Sequence, residues 1–240
     1  MASDDDEVPQ TFFFSTSGTG NGVWEINRPQ TAITKLVEQG IFHGEVLDIG
    51  CGIGDNAIYI GKHTNNVSIT ATDLVPKAIE VAREKAQKAN VNIRFEVVDM
   101  IADLSTTTNL KQNSYDVIFE AAVFHVFSNK DRLIYIKNLE FLIKPNGLYI
   151  QLCFSEKETR EGGPRRIKKS DLYELFSSQN ETREGGPRRI KKSDLYELFS
   201  SQNGWTIESI EDDVYETTLF GSVPSGGRAY LSTIRRNNYT

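Results

Sequence analysis

The chain has 240 residues, of which 38% are hydrophobic and 25% charged, and its formal net charge is −6. This composition excludes a disordered chain, and the length suffices for one α/β domain with a sizeable core. The acidic balance argues against a nucleic-acid partner, and no apolar stretch is long enough to cross a membrane.

Two features of the composition bear on location and on metals. The chain begins Met-Ala-Ser-Asp-Asp-Asp-Glu, which has neither the basic nor the apolar region of a secretory signal. Cys51 and Cys153 are the only cysteines, and no group of cysteine and histidine residues has metal-ligand spacing. We therefore expect a cytoplasmic protein without a bound metal.

Residues 1–20 are acidic and then rich in Ser, Thr and Gly, so we expect a mobile segment, although the three phenylalanines at 12–14 can pack. Residues 21–240 are predicted to form a single domain. Its first element is a short helix over 29–39, because Pro29 stands in the first turn and Gly40 follows the end.

From Glu45 onward, predicted strands and helices alternate, which favours a doubly wound and mainly parallel α/β sheet covered on both faces. Such sheets bind ligands beyond the carboxyl ends of their strands. In the last predicted helix we expect Leu133, Ile136 and Leu139 to face inward, and the turn Pro145-Asn146-Gly147 to follow. The predicted strands are 45–48, 67–72, 93–98, 116–119, 148–153, 205–210 and 229–234, and the predicted helices are 55–62, 76–88 and 131–143.

Residues 158–180 are repeated letter for letter at 181–203. Two identical tandem copies indicate a duplication inserted into an ordinary domain, since the repeats of a solenoid diverge and number at least three. Each copy contains one amphipathic helix that begins near Ser170 or Ser193. We hypothesise that the second helix takes the original place, because Gly204 follows it directly and a longer preceding loop costs little entropy.

The segment Asp48-Ile-Gly-Cys-Gly-Ile-Gly54 follows a predicted strand and opens a helix. Glycines let the backbone approach a ligand, and the helix N-terminus favours a carboxylate or phosphate. A dinucleotide fingerprint starting at Gly50 requires glycine at position 55, where Asp55 stands. Asp48 instead suits the ammonium group of an amino acid, or it is a turn aspartate.

Two further acidic residues end strands. Asp73 ends the second predicted strand and can accept both hydroxyls of a ribose, or cap the following helix, or do both. Asp99 and Met100 end the third strand, where a carboxylate suits an adenine amino group and a soft side chain suits the ring.

The segment EAAVFHVFS at 120–128 follows the fourth predicted strand. Phe124, His125 and Phe127 are expected near the reacting group. His125 can act as a general base on an acceptor, or it can pack and hydrogen-bond within the loop. The residues alone leave both possibilities open.

Together these residues resemble the class I S-adenosylmethionine (SAM)-dependent methyltransferases. Within them the chain is similar to a small-molecule branch of tellurite-resistance and thiol-methyltransferase-like enzymes, which includes methylators of heterocyclic phenols and quinolones. The segments that carry the resemblance are WEINRPQ (24–30), VLDIGCGIGDNA (46–57), TDLVPKAI (72–79), FHVFS (124–128), GPRR (163–166 and 186–189), GW (204–205) and AYLSTIR (229–235).

The resemblance implies a Rossmann-like seven-stranded sheet of order 3-2-1-4-5-7-6 with the last strand antiparallel, and the repeat between strands five and six. It implies SAM as cofactor and a small-molecule acceptor methylated on O, S or N. His125 is the candidate catalytic residue. Substrate contacts are predicted for Phe124, Arg165 and Arg188. Cofactor contacts are predicted for Trp24, Arg28, Asp48, Gly50, Cys51, Gly52, Gly54, Asn56, Asp73, Leu74, Asp99, Met100 and Glu120.

The chain departs from this family pattern in two places. Glu120-Ala-Ala122 stands where Asp-Ser-Gly is expected, and the duplication falls in the segment expected over the acceptor. A SAM-binding but catalytically impaired protein is therefore one alternative. A nucleotide-linked oxidoreductase is another, disfavoured by Asp55 and Asp48. We expect no nucleic-acid or membrane partner, and either a monomer or a dimer formed through the extra helix.

Overall fold

The computed structural model describes residues 10–155, 157–158, 170, 204–219 and 225–238. In this part of the chain a short 3-10 helix at Phe124–Val126 accompanies the regular helices and strands. The helices are α1 (Gln10–Thr16), α2 (Thr31–Glu38), α3 (Asp55–His63), α4 (Pro76–Lys88), α5 (Leu104–Thr107) and α6 (Asn129–Leu142). The strands are β1 (Gly44–Ile49), β2 (Val67–Asp73), β3 (Arg94–Val97), β4 (Tyr115–Ala121), β5 (Ile143–Phe154), β6 (Trp205–Thr217) and β7 (Ser225–Arg236).

The strands form one sheet in the order β3-β2-β1-β4-β5-β7-β6. Strands β1 to β5 pair in parallel, and β7 runs antiparallel to both β5 and β6. The predicted fold, including the antiparallel last strand, is confirmed. The strand order reverses between β1 and β4, so this junction is where such a sheet binds ligands.

Helices cover both faces of the sheet because its central strands are apolar on both sides. Val46 and Val117 pack on the face covered by α2, α3 and α4, whereas Leu47 and Ile118 pack on the face covered by α5 and α6. All four side chains are fully buried. The two clusters hold the carboxyl ends of β1 and β4 side by side.

Several predicted elements differ from the structure at their ends. Helix α4 has the predicted limits, but β6 extends well past residue 210 because it pairs with β7 as far as Thr217. The turn predicted at Pro145–Gly147 is wrong. Helix α6 passes directly into β5, and the residues between Ile143 and Leu148 bulge out of the ladder with β4.

The inward position predicted for Leu133 is also wrong, since this side chain is 59% exposed. Arg132 takes the inner position instead and is 1% exposed. Its Nε donates to the Phe124 carbonyl oxygen at 3.2 Å, and its guanidinium lies 5.0 Å from the centre of the Phe124 ring. The buried stripe of α6 therefore includes a hydrogen-bonded arginine, which apolar periodicity does not predict.

Two sequence predictions concern segments that the structure describes only in part. Residues 10–16 form α1, and the mobility of 1–20 stays a prediction. Of the two repeat copies the structure describes Glu158 and Ser170, so the choice of docked helix lies outside the described residues. Gly204 has a φ of 75°, the backbone conformation expected directly after a helix. None of the described helices is both long and apolar enough to traverse a membrane.

The packing of α6 yields a test with an internal control. Leu139 is fully buried and Leu133 is 59% exposed on the same helix. Leu139→Ala should lower the free energy of unfolding by about 2–5 kcal/mol because it removes buried methyl groups and leaves a cavity. Leu133→Ala should change it by less than about 0.5 kcal/mol. Urea denaturation of both variants measures this, and equal losses would contradict the assigned face.

Candidate active site

A cavity of about 1010 Å³ lies at the carboxyl ends of β1, β2, β3 and β4. A smaller cavity of about 50 Å³ adjoins it and shares Trp24, Gly50 and Gly52 with it. Predicted cofactor and catalytic residues that line the large cavity are Trp24, Gly50, Gly52, Asp73, Leu74, Asp99, Met100 and His125. Those that line the small one are Trp24, Arg28, Gly50, Cys51, Gly52 and Asn56.

The three glycines of the loop after β1 serve different purposes. Gly50, at a φ of 65°, makes room for Val123, since a Cβ there would lie 2.1 Å from the Val123 Cγ2 atom. Gly54 precedes α3 at a φ of 84°, and its Cβ would lie 3.0 Å from the Ala82 Cβ. A Cβ on Gly52 would meet no atom within 4 Å. Gly52 therefore leaves open space that a ligand can use.

Asp73 is held by backbone amides on both carboxylate oxygens. Oδ2 accepts from the Gly52 N–H at 2.8 Å and Oδ1 from the Val75 N–H at 2.9 Å. The alternative role as N-cap of α4 is wrong, because Val75 is the N-cap and no side chain caps this helix. Each oxygen has a second lone pair, so the carboxylate fits the hydroxyls of a ribose.

Asp99 and Met100 line the cavity directly after β3. One Asp99 oxygen accepts from the Ile101 N–H at 3.0 Å. The Met100 carbonyl accepts from the Asn138 side chain at 2.9 Å, which fixes this turn against α6. These bonds hold the two residues at the cavity wall, where Asp99 offers a carboxylate and Met100 a soft apolar side chain.

Arg28 and Asn56 fasten the segment before α2 to the rest of the site. Arg28 makes two hydrogen bonds to Glu216, at 2.9 and 2.7 Å, and the pair lowers the pKa of Glu216 to about 2. The Asn56 side-chain oxygen accepts from the Gln30 N–H at 2.9 Å. Both residues line the small cavity, while their polar groups join protein elements to each other.

Asp48 and Glu120 lie beneath the loops and line neither cavity. Glu120 is fully buried, and its Oε2 accepts from the Val123 N–H at 2.6 Å. Burial raises the pKa of Glu120 to about 8, and burial next to Asp73 and Glu120 raises that of Asp48. Among the described residues, Asp48 Oδ2 and Glu120 Oε1 find no hydrogen-bond partner. Direct cofactor contacts of these two carboxyls therefore stay a prediction.

His125 lines the cavity and is 3% exposed. Its Nδ1 accepts from the Phe154 N–H at 3.2 Å, and its ring stacks on the Phe154 ring at 5.3 Å. Phe124 does not line the cavity, because its ring is turned into the core against Tyr135 and Arg132. Phe127 lines the cavity instead. Arg165 and Arg188 lie outside the described residues.

Helix α1 covers the cavity and was not predicted. Phe12 and Phe13 line it and pack against Trp24, at ring separations of 5.9 and 5.8 Å. Glu25 anchors the end of this cover by accepting from the Gly18 and Gly20 N–H groups. Tyr215, near the end of β6, also lines the cavity. The three consecutive phenylalanines in a polar segment were the available signal for this cover.

Comparisons with known proteins agree with this site. A family model described as a methyltransferase domain matches residues 46–147. The 2-heptyl-1-hydroxyquinolin-4(1H)-one methyltransferase of Mycobacteroides abscessus is 31% identical over 157 residues, which are 64% of this chain and 66% of that protein. The chain thus spans slightly less than two thirds of the length of this curated relative.

Two solved structures have the same fold. One has a TM-score of 0.65 and 26% identity, and the match covers 89% of this chain and 84% of that protein. Its structure is described as showing the conversion of a disulfide bond into a thioacetal group during echinomycin biosynthesis. The other is the Burkholderia thailandensis 1,6-didemethyltoxoflavin-N1-methyltransferase, with a TM-score of 0.61 and 18% identity. The match covers 95% of this chain and 87% of that enzyme.

Residues 46–147 match a methyltransferase domain, and the sheet around them has the strand order of the class I SAM-dependent methyltransferases. The cofactor of that class is SAM. The open space at Gly52 and the free lone pairs of Asp73 fit this cofactor. The alternative of a nucleotide-linked oxidoreductase is not supported.

The buried Glu120 should make stability depend on pH. Its pKa is about 8 in the folded protein against an ordinary value of 4.5. The proton is held more tightly in the folded protein, so the contribution of Glu120 to stability is fully present below pH 4.5. This contribution is lost as the pH rises to about 8, by up to about 1.4 kcal/mol per pH unit. Glu120→Gln keeps an acceptor for the Val123 N–H but has no proton to lose.

Urea denaturation of the ligand-free wild type and Glu120→Gln, at pH 5 and at pH 8, measures this effect. The stability of the variant relative to the wild type should increase between the two pH values. A difference that stays constant with pH would mean that Glu120 ionises as readily in the folded protein as in the unfolded chain.

Ala122 occupies a backbone conformation that favours glycine, with a φ of 73°. This is the position where the family pattern has glycine. Ala122→Gly should therefore stabilise the protein by about 1 kcal/mol, because a Cβ is strained in the left-handed region. Ala121→Gly, one residue earlier in β4, should instead destabilise it by about 0.5–1 kcal/mol. Thermal unfolding distinguishes them, and destabilisation by both changes would argue against strain at Ala122.

Proposed function

We propose that this protein transfers the methyl group of SAM to a heteroatom of a small, planar aromatic molecule. The observation that carries the proposal is the lining of the large cavity. Beside the cofactor residues it presents the rings of Phe127, Phe154 and Tyr215, with Phe12 and Phe13 above. Flat aromatic surfaces favour a flat aromatic ligand, through offset and edge-to-face contacts.

The cofactor is proposed to occupy the part of the cavity formed by the loops after β1, β2 and β3. Asp73 would hold the ribose hydroxyls, and Asp99 with Met100 would hold the adenine. Gly52 would allow the backbone to approach, next to the N-terminus of α3, which favours the amino-acid carboxylate. When bound, the cofactor supplies a methyl group already activated on a sulfonium.

The protein's own residues then contribute alignment and exclusion of water. A methyl transfer requires the attacking atom in line with the bond that breaks, so a fixed acceptor raises the rate. The aromatic side chains of the lining limit how a flat ring can tilt and shift in the cavity. Helix α1 and Trp24 close the cavity on one side. A dry site also suits a reaction in which the positive charge of the sulfonium is dispersed in the transition state.

The relative from Mycobacteroides abscessus acts on a hydroxyquinolone, and the Burkholderia thailandensis enzyme was solved with a didemethyltoxoflavin bound. Both molecules are flat heterocycles, which supports the proposed acceptor class for this chain. We further propose a cytoplasmic protein without nucleic-acid partners, consistent with its net charge of −6.

The second candidate is a protein that binds SAM but does not turn over. The duplicated segment favours it, since residues 158–203 lie in the chain between β5, which ends at the cavity residue Phe154, and β6. A variant lacking residues 181–203 carries one copy and is the matched comparison. The glycine loop is unchanged in this variant, so its cofactor affinity should equal that of the full chain.

Two measurements test these candidates. Isothermal titration calorimetry with SAM should show binding by both forms, and Asp73→Ala should weaken it about 100-fold by removing charge-assisted hydrogen bonds. Mass spectrometry should then detect methylated product from hydroxylated heteroaromatics in preference to aliphatic amines. Product from the one-copy form alone would assign the full chain to the non-catalytic class. An absence of SAM binding would overturn the proposal.

A further inference from the structure

The large and the small cavity adjoin between the loop after β1 and the carboxyl end of β4. Among the described residues, five line both cavities and so mark this boundary, namely Trp24, Gly50, Gly52, Ala121 and Tyr215. Glycine and alanine present backbone and a methyl group there. Trp24 and Tyr215 bring aromatic rings, and the Tyr215 hydroxyl brings an oxygen with lone pairs.

This boundary coincides with a chemical boundary in the cofactor. Under the proposed function, Asp73 and Asp99 hold the adenosine part from the large cavity. The small cavity is lined by Asn56 in the first turn of α3, where the helix N-terminus favours the amino-acid carboxylate. The sulfonium joins these two parts of the cofactor. Its place is therefore at the boundary, beside Trp24 and Tyr215.

We propose that Tyr215 contacts the sulfonium of SAM and, together with Trp24, makes the site respond to the positive charge of the cofactor. The inference rests on the proposed function for the placement of the cofactor. It goes beyond that function by assigning the residue that distinguishes SAM from its neutral product, S-adenosylhomocysteine (SAH). The charge of a sulfonium spreads over the carbon groups attached to sulfur. Aromatic rings attract such a cation, and an oxygen lone pair attracts its C–H groups.

Neighbouring rings fix the Tyr215 side chain in place. It is 5% exposed, and its ring meets the Phe154 ring edge to face at 5.4 Å and the His125 ring at 6.5 Å. The cross-strand partner of Tyr215 is Gly227, where a Cβ would lie 2.1 Å from the Phe154 ring. Gly227 thus gives Phe154 the room to support Tyr215. A ring held in this way loses little conformational entropy when the cofactor binds.

Hydrogen bonds tie the segment of Trp24 to the strand of Tyr215. The Val23 carbonyl oxygen accepts from the Thr217 hydroxyl at 2.7 Å and from the Thr218 N–H at 2.8 Å. Val23 directly precedes Trp24, and Thr217 lies two residues after Tyr215. These bonds therefore hold the two aromatic side chains at the same boundary.

The charges near the boundary are compatible with a bound cation. Burial and the nearby Glu120 raise the pKa of Tyr215 well above its ordinary value, so the side chain is a neutral phenol at neutral pH. A neutral phenol attracts the sulfonium without leaving a buried charge behind when the product forms. Arg28 lines the small cavity, and its charge is balanced by Glu216 at 2.7 Å.

Two substitutions separate the parts of the Tyr215 side chain. Tyr215→Phe keeps the ring and loses the oxygen, whereas Tyr215→Leu loses both and keeps an apolar side chain. Phe127→Leu is the matched control, because Phe127 lines the large cavity and does not line the small one. Thermal unfolding checks that each variant folds.

Isothermal titration calorimetry with SAM and with SAH measures the discrimination of charge. In Tyr215→Leu the Kd for SAM should rise about 10- to 30-fold, because a desolvated cation loses an aromatic ring. The Kd for SAH should rise less than about threefold. In Tyr215→Phe the Kd for SAM should rise about two- to fivefold, with that for SAH unchanged. Phe127→Leu should leave the ratio of the two Kd values as in the wild type.

A tertiary-amine analogue of SAM separates charge from shape. Its methylated nitrogen takes the place of the sulfonium and is cationic at low pH and neutral at high pH, while the methyl group is present throughout. Its affinity for the wild type should fall as the pH rises through the pKa of this amine, and it should fall less in Tyr215→Leu. Titrations with SAH over the same pH range correct for protein groups such as Glu120.

The outcomes separate this inference from the proposed function. Equal losses of SAM and SAH affinity in Tyr215→Leu would overturn the inference, since a structural role affects both ligands alike. Weaker binding of 1-naphthol to the SAH complex of Tyr215→Phe, with an unchanged SAM-to-SAH ratio, would overturn it in favour of an acceptor contact. A ratio that depends on Tyr215 without any methylated product would refute methyl transfer and support the sulfonium contact.

Discussion

The contact between Gly50 and Val123 is the constraint on which the site depends. Gly50 follows β1 and Val123 follows β4, the two strands between which the strand order reverses. A Cβ at Gly50 would lie 2.1 Å from Val123, so a larger residue would push the loop after β4 outward. The absent side chain lets the cofactor loop and the loop that carries His125 line one cavity.

Two buried carboxyls lie below this contact, and one of them holds the loop after β4. Glu120 binds the Val123 amide, and its pKa of about 8 keeps it protonated at neutral pH. Asp48 is buried next to it, with its pKa raised by the same burial. The protein accepts the cost of two desolvated carboxyls here, and the bond from the Val123 amide to Glu120 holds the loop after β4. Their low accessibility also explains why neither lines a cavity.

The acceptor side of the site consists of contacts between distant segments. His125 depends on Phe154, and the cover depends on Phe12 and Phe13 meeting Trp24. None of these contacts has a periodic pattern, so α1 was not predicted and β6 was predicted too short. Arg132 shows the same effect in α6, where a hydrogen bond to a carbonyl places an arginine inside and Leu133 outside.

The sequence by itself determined the alternation of strands and helices, because apolar periodicity and proline positions are local properties; α4 was predicted with its observed limits. Through the family resemblance it also indicated the sheet order and the glycine loop. Only the tertiary structure decided that Phe124 faces the core, that Gly50 makes room for a side chain, and that Nδ1 of His125 accepts from the Phe154 amide. Each depends on partners brought together by strand pairing, such as the amide of Phe154, 29 residues from His125 in the chain.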